Sequence, residues 1–180
     1  LLSFLSGEDE EGVKDYLLNK YNQITDVDLL QLELNLNLEK ATPFVFQNGL
    51  PSEFKFRHPY LNSRGISEEV QRGFKIGYDK ETKSVVIPWT NKDGQIVRLQ
   101  FRSVNSKKFW FSKEGDRIKN HLFGLYHIYR KNSTTAWIVE APIDCMYLWT
   151  QGIPSIATGT ASISKTQLKL LKQSPIETLV

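Results

Sequence analysis

The stretch AWIVEAPIDCMYLWTQGIPSIATGTASISKTQLKLLKQSPIETLV, residues 136–180, decides the fold of this chain. It predicts a strand that ends at Glu140, a helix that begins near Asp144, a second strand, a second helix and the start of a third strand. Strands that alternate with helices in this way form a parallel sheet with right-handed crossovers. We therefore expect an α/β unit in residues 136–180.

Two carboxylates in this stretch are candidate metal ligands. Glu140 ends its strand, and ligands gather beyond the carboxyl ends of parallel strands. Asp144 follows four residues later, in the first turn of the predicted helix, where the helix dipole favours a carboxylate. Two oxygen ligands at one sheet edge suit Mg²⁺. The alternative is a solvated strand end and an ordinary helix cap, but the apolar strand that leads into Glu140 favours the metal site.

Composition excludes several classes of protein. The 180 residues are 40% hydrophobic, which is enough for one sizeable core or two small ones. The single cysteine, Cys145, rules out an internal disulfide and a cysteine-based zinc site, and its apolar neighbours predict core packing. No apolar run has the length of a membrane span. We expect a soluble, cytoplasmic protein that has no membrane partner.

Residues 84–103, SVVIPWTNKDGQIVRLQFRS, predict an antiparallel hairpin that turns at Asp93-Gly94. Along its second strand, Arg98 and Arg102 fall on one face and apolar residues fall on the other, with Ile96 as the exception. From this alternation alone, a solvent-facing surface and a nucleic-acid contact explain the two arginines equally well.

Charge and aromatic rings alternate in KKFWFS, residues 107–112, within a block rich in lysine and arginine that covers residues 92–131. Cations beside exposed rings are typical of a groove that follows a single nucleic-acid strand. For Phe109 and Phe111 the pattern alone favours burial in the core. For Lys108 together with Arg102 it favours contact with phosphates.

The rest of the chain gives coarser predictions. Residues 1–22 predict one or two amphipathic helices, residues 29–38 fit either a strand or a helix, and Ser67 predicts the start of a short helix. The three histidines have no metal-ligand spacing, which indicates structural or surface roles. The short KNSTT at residues 131–135 is the candidate boundary, and it divides the chain into subdomains 1–131 and 132–180.

An ordered set of motifs indicates a protein family that accounts for these observations. The chain resembles the RNA polymerase core of bacterial and phage DnaG-type DNA primases, in which a basic α+β amino-terminal subdomain with an antiparallel hairpin joins an α/β TOPRIM fold. The motifs are YLNSRGISEEVQRGFKIGYD at 60–79, VVIPWTNKDGQIV at 85–97, FR at 101–102, KKFWFS at 107–112, HLFGLY at 121–126, IVEAPID at 138–144 and ATGT at 157–160.

The resemblance implies an activity and a set of partners. Such a primase makes RNA primers on a single-stranded DNA template for replication, by nucleotidyl transfer that depends on Mg²⁺ or Mn²⁺. Ribonucleoside triphosphates are its substrates, and a replicative helicase is a candidate further partner. Matched by position, the catalytic and metal-binding residues are Glu140 and Asp144, the loop near the site contains Gly159 and Thr160, and the residues that bind nucleotide or nucleic acid are Arg98, Arg102, Lys107, Lys108 and Phe109.

The chain also departs from the family pattern. Ala141 replaces the glycine of the Glu-Gly-x-x-Asp turn, which reads Glu-Ala-Pro-Ile-Asp here, and Arg98, Gln100 and Phe101 replace glycines of the second hairpin strand. IETLV resembles the third TOPRIM strand, but the chain stops before an Asp-x-Asp pair, so we expect a truncated fragment with weak metal binding and little or no polymerase activity. The alternative is a TOPRIM-type nucleic-acid-binding or scaffold module that performs no catalysis.

Overall fold

Two β-sheets organise residues 44–180, the part of the chain that this computed structural model describes. These residues all belong to one unit of the chain. The elements predicted within residues 1–22 and 29–38 lie outside the described residues. The architecture is mixed α and β, with one antiparallel and one parallel sheet, as the sequence predicts.

The antiparallel sheet has four strands in the order β1-β2-β3-β4. They are β1 Gly77–Asp79, β2 Ser84–Thr90, β3 Ile96–Ser103 and β4 Phe109–Phe111. The predicted hairpin is confirmed, because β2 pairs with β3. A β-bulge shifts the pairing from Trp89–Arg98 to Thr90–Ile96 and leaves Val97 as the extra residue. It explains the exception in the alternation, since Ile96 packs in one apolar cluster with Leu99 and Phe101.

Short helices connect and cover this sheet. They are α1 Tyr60–Ser63, α2 Glu68–Gly73 and α3 Leu125–Lys131, with 3₁₀ turns at Ser52–Phe54 and Ile118–Asn120. Helix α2 begins where the sequence predicts, because the Ser67 hydroxyl accepts a hydrogen bond from the Val70 N–H at 3.3 Å. Helix α3 ends at Asn132, which adopts the left-handed conformation that caps helices.

The parallel sheet has the order β6-β5-β7. Its strands are β5 Thr135–Val139, β6 Ser155–Ala157 and β7 Thr178–Leu179, and they alternate with helices α4 Pro142–Thr150 and α5 Lys165–Gln173. The predicted strand–helix alternation is confirmed. Helix α4 begins two residues before Asp144, because Pro142 at its first position is already held at a helical φ angle.

A single hydrophobic cluster joins the two sheets. It contains Ile87 and Trp89 from the antiparallel sheet together with Met146 and Ile156 from the parallel unit. Backbone hydrogen bonds of 2.9 Å in both directions between Phe123 and Ala157 also attach the segment before α3 to β6. The cluster continues across the boundary predicted at residues 131–135, and the division into two subdomains there stays a prediction. Within residues 44–180, no helix is long and apolar enough to cross a membrane.

Candidate functional site

A cavity of about 220 Å³ lies where the two sheets meet. It brings together five of the residues that the sequence marks as functional: Arg102, Phe109, Glu140, Asp144 and Gly159. The lining is completed by Arg64, Ile87, Gln100, Ala141, Pro142 and Ile143. The cavity is therefore lined both by carboxylates that follow β5 and by two cations, Arg102 of β3 and Arg64 at the end of α1.

The two carboxylates lie at the carboxyl end of β5. Glu140 directly follows the strand, and Asp144 is the third residue of α4. Both residues are exposed, and neither side chain has a hydrogen bond or ion pair with another residue in the range 44–180. Their oxygens are thus available to an external ligand. In the same range, no group of three His, Cys, Asp or Glu side chains forms a metal cluster.

Gly159 holds the second loop of the site against the first. Its N–H donates to the Glu140 carbonyl oxygen at 2.8 Å. Gly159 has φ +72°, and a Cβ built there would lie 2.5 Å from the Trp89 ring, so the position requires glycine both for conformation and for space. Thr160 does not line the cavity. Its hydroxyl donates to the Ser162 carbonyl, and its carbonyl accepts from the Thr158 hydroxyl, so both groups are bonded within their own loop.

Arg102 is the cation that the sequence places correctly in the cavity. It lies opposite Phe109 across the β3–β4 pairing. One terminal nitrogen donates to the Lys107 carbonyl oxygen, whereas its buried Nε has no partner among the described residues. The neighbouring Gln100 accepts a 2.9 Å hydrogen bond from the Trp89 indole, which fixes the cavity wall next to Gly159.

Arg64 is a second cation of the cavity that the sequence analysis did not single out. It caps the carboxyl end of α1 and is exposed. The only signal for it was its place inside the motif at residues 60–79. That motif does not reveal which of its charged residues reaches the site, because Arg64 and Glu140 are brought to one cavity by contacts between distant parts of the chain.

Arg98 lies on the same strand but does not line the cavity. Its guanidinium donates to the carbonyl oxygens of Ser112 at 2.8 Å, Asp116 at 3.1 Å and Gly115 at 3.2 Å. These bonds fasten the loop after β4 to β3, which is a structural role. The nucleic-acid contact predicted for Arg98 stays a prediction.

The aromatic residues of β4 divide between the core and the surface. Phe111 packs against the main hydrophobic cluster, as the alternation favours. For Phe109 the expected burial is wrong, because β4 is an edge strand and the Phe109 side chain is 57% exposed at the cavity. Lys107 and Lys108 are also exposed, in the turn that joins β3 to β4, but they do not line the cavity.

Three groups with shifted pKa values lie outside the cavity. Burial raises the pKa of the Cys145 thiol to about 12. Burial lowers the pKa of His127 to about 4, and the nearby charges of Arg130, Lys75 and Lys131 lower it further. Burial also acts to raise the pKa of Asp116, but hydrogen bonds, chiefly the 2.8 Å bond with His121, outweigh it and lower this pKa. Cys145 packs in the main hydrophobic cluster, as the sequence predicts, while His121 is buried and the His127 ring packs against Phe74.

Comparison with known proteins identifies the fold. No family model matches the sequence, and no curated protein matches it. Solved structures that match over 67% of this chain include the E. coli primase catalytic core, with 21% sequence identity and a TM-score of 0.60. A DnaG primase catalytic domain bound to ssDNA matches with 22% identity and a TM-score of 0.59. The Aquifex aeolicus primase, with its zinc-binding and RNA polymerase domains, matches with 22% identity and a TM-score of 0.57.

The matched part corresponds to 52%, 51% and 40% of those three structures, respectively. The chain therefore spans about half the length of the solved structures that it resembles. At this level of identity the likeness shows the fold, and it confirms that the described residues have the architecture of a DnaG-type primase core, as the sequence resemblance implies.

Proposed function

We propose that this chain is part of the catalytic core of a DNA primase, which joins ribonucleotides on a single-stranded DNA template to start replication. The observation that supports this proposal is the shared cavity, which is lined by Glu140 and Asp144 together with Arg64 and Arg102. Phosphoryl transfer depends on positioning and on neutralising negative charge, and both kinds of side chain serve that purpose. The primase fold of the described residues agrees with this proposal.

Glu140 and Asp144 would hold Mg²⁺ or Mn²⁺. They fit such an ion because they offer hard oxygen donors, line one cavity and have no partner among the described residues. A bound divalent ion supplies neutralisation of the charge that develops on the transferred phosphoryl group. Alternatively, Glu140 would act as the general base that accepts the proton of an attacking 3′ hydroxyl.

The residues of β3, β4 and the turn between them would bind the nucleotide and the template. Arg102 is held in place by its bond to the Lys107 carbonyl, so its remaining donors can orient a triphosphate. Phe109 offers an exposed ring on which a base can stack. Lys107 and Lys108 lie on the same edge of the sheet, where they would contact the template backbone. Ribonucleoside triphosphates would be the substrates, and a replicative helicase is a further partner in this proposal.

A specific observation favours a second candidate function. Among the described residues, only Glu140 and Asp144 contribute carboxylates to the cavity, and two ligands bind a divalent ion weakly. A chain with such a site would polymerise poorly or not at all by itself. It could instead serve as a TOPRIM-type module that binds nucleic acid or organises an assembly.

Metal titration tests the first candidate. We expect Mn²⁺ binding, measured by electron paramagnetic resonance, to weaken about tenfold or more in Glu140→Gln and Asp144→Asn, because each substitution removes a charged ligand. Glu69→Gln is the matched control, since Glu69 is an exposed carboxylate of α2 outside the cavity. Equal Mn²⁺ affinity in all four proteins would contradict the assignment of the metal ligands.

Titration with single-stranded DNA separates the two candidates. Fluorescence anisotropy should show binding that weakens with salt, and Arg102→Ala and Lys108→Ala should each weaken it, whereas the exposed Lys169 of α5 serves as the control in Lys169→Ala. DNA binding without Mn²⁺ binding at Glu140 and Asp144 would favour the module. An affinity that does not depend on salt or on Arg102 would contradict both the primase core and a module that binds nucleic acid through this cavity.

A further inference from the structure

A second and larger cavity lies beside helix α2. It has a volume of about 360 Å³, and none of its lining residues belongs to the first cavity. Four of these residues are cations, Lys55, Arg57, Arg72 and Lys75. The primase proposal gives this cavity no role.

The cations of this second cavity are only partly neutralised. Glu68 forms ion pairs with Arg57 at 3.0 Å and with Arg72 at 3.9 Å, and all three side chains are at least half exposed. Lys55 and Lys75 have no ion pair within residues 44–180, although the Lys75 ammonium donates to the Gly94 carbonyl at 3.1 Å. The second cavity thus concentrates positive charge, and exposed pairs of this kind are easily exchanged for a stronger anionic ligand.

The same cavity also offers an aromatic ring. Phe56 lines it with a side chain that is 41% exposed, next to aliphatic atoms of Leu50 and Ile76. The Lys80 ammonium lies 3.4 Å from the centroid of the Phe56 ring, which fixes that ring and adds another cation. A flat apolar surface beside several cations suits a ligand that has a planar base and phosphate groups.

We propose that the second cavity binds a phosphorylated nucleoside, with the base against Phe56 and the phosphates on Arg57, Arg72 and Lys75. The ligand is either a free nucleoside polyphosphate or one unit of a nucleic-acid strand, because both present the same base and phosphate. The proposal does not rest on primase activity, since it uses no residue of the first cavity. Arg57 and Arg72 share Glu68, which holds the two guanidinium groups near each other.

Binding of fluorescent mant-ATP, measured in EDTA so that no divalent ion contributes, tests this proposal. Arg72→Gln and Lys75→Asn should each weaken binding about tenfold, because each removes a charged donor to phosphate. Asparagine is the replacement for Lys75 because that residue has φ +57°, which asparagine tolerates. The control Lys169→Ala should retain the affinity of the parent chain, and Arg102→Ala measures any contribution of the first cavity to the binding of mant-ATP.

The outcomes distinguish the ligand sources and the site. Displacement of mant-ATP by unlabelled ATP alone identifies a free nucleotide, whereas displacement by an oligonucleotide of thymidines identifies a strand, and either result supports the proposal. Unchanged affinity in both Arg72→Gln and Lys75→Asn, or a loss only in Arg102→Ala, would overturn it. Because thermal unfolding is followed for every variant, a loss of affinity in a protein that melts like the parent chain reports on the second cavity and not on folding.

Discussion

Replacing Gly159 with alanine should weaken both the packing between the two sheets and the candidate active site. Two costs combine at this position. The residue has φ +72°, and the new Cβ would lie 2.5 Å and 2.9 Å from two atoms of the Trp89 ring and 3.1 Å from the Ile118 side chain. Contacts below 3 Å must relax, so either the loop that follows β6 or the Trp89 ring has to move.

The Trp89 ring has little freedom to move. It is fully buried, its indole N–H donates to Gln100 at 2.9 Å, and it packs edge-on against Phe123 with 5.5 Å between the ring centroids. The left-handed backbone costs a residue with a Cβ about 1–2 kcal/mol. Overpacking a filled core adds about 1–3 kcal/mol. We therefore expect the Gly159→Ala substitution to lower the free energy of unfolding by about 2–5 kcal/mol.

Gly152→Ala is a control that isolates the steric part of this cost. Gly152 has φ +76°, nearly the same as Gly159, but a Cβ built there meets no atom within 4 Å. It should lose only the backbone cost of about 1–2 kcal/mol. Urea unfolding, followed by tryptophan fluorescence and by far-ultraviolet circular dichroism, measures both variants. The difference between them should be about 1–3 kcal/mol.

Equal losses of stability in Gly159→Ala and Gly152→Ala would refute this reasoning, because Trp89 would then not confine the loop. Ligand binding provides a second measurement. A displaced Trp89 also moves Gln100, which lines the first cavity, and a displaced loop changes the Gly159–Glu140 hydrogen bond. Mn²⁺ and single-stranded DNA should therefore bind more weakly to folded Gly159→Ala than to folded Gly152→Ala.

Three further predictions concern residues outside the first cavity. Arg98→Ala should lower the free energy of unfolding by about 2–4 kcal/mol, because it removes three hydrogen bonds from a charged group; a loss of DNA affinity at unchanged stability would instead assign Arg98 to nucleic-acid contact. The pKa of His127 is about 4 in the folded state and 6.5 in the unfolded state, so the free energy of unfolding should fall as the pH drops from about 6.5 to about 4. Urea unfolding of His127→Phe should lack the part of this decrease that comes from His127. Cys145 is fully buried with a pKa of about 12, so the native protein should react with Ellman's reagent only as fast as it opens, and a fast reaction without denaturant would contradict this.

Local sequence patterns were sufficient to predict many elements of the fold, although not the short strands β1 and β4. The hairpin from Ser84 to Ser103, the helix after Ser67 and the strands and helices after Thr135 follow from alternation, turn residues and caps, which act over a few residues. The sequence showed Ile96 as an irregularity but could not give its cause. The bulge that explains it depends on how β3 pairs with β2.

The parts of the site that the sequence could not predict depend on long-range packing. Whether Phe109 is buried depends on whether another strand covers β4, and that is a property of the whole sheet. Arg64 and Arg98 show that the sequence could not predict which arginines line the cavity. Arg64 lies within the motif at 60–79 and Arg98 lies on the predicted hairpin strand, yet tertiary contacts bring the first into the cavity and tie the second to backbone carbonyls.

The distribution of charge across the first cavity limits the ligands that it can accept. Within the described residues, Arg64 and Arg102 form no ion pair with Glu140 or Asp144, although all four residues line the same 220 Å³. Charged groups of both signs that line one cavity without pairing with each other are each free to pair with a ligand, so a ligand that carries both signs of charge is favoured. A simple anion would satisfy only the arginines, and a bare cation only the carboxylates. A nucleoside triphosphate bound to a divalent ion satisfies both, which is why a metal–nucleotide complex is the ligand that we propose for this site.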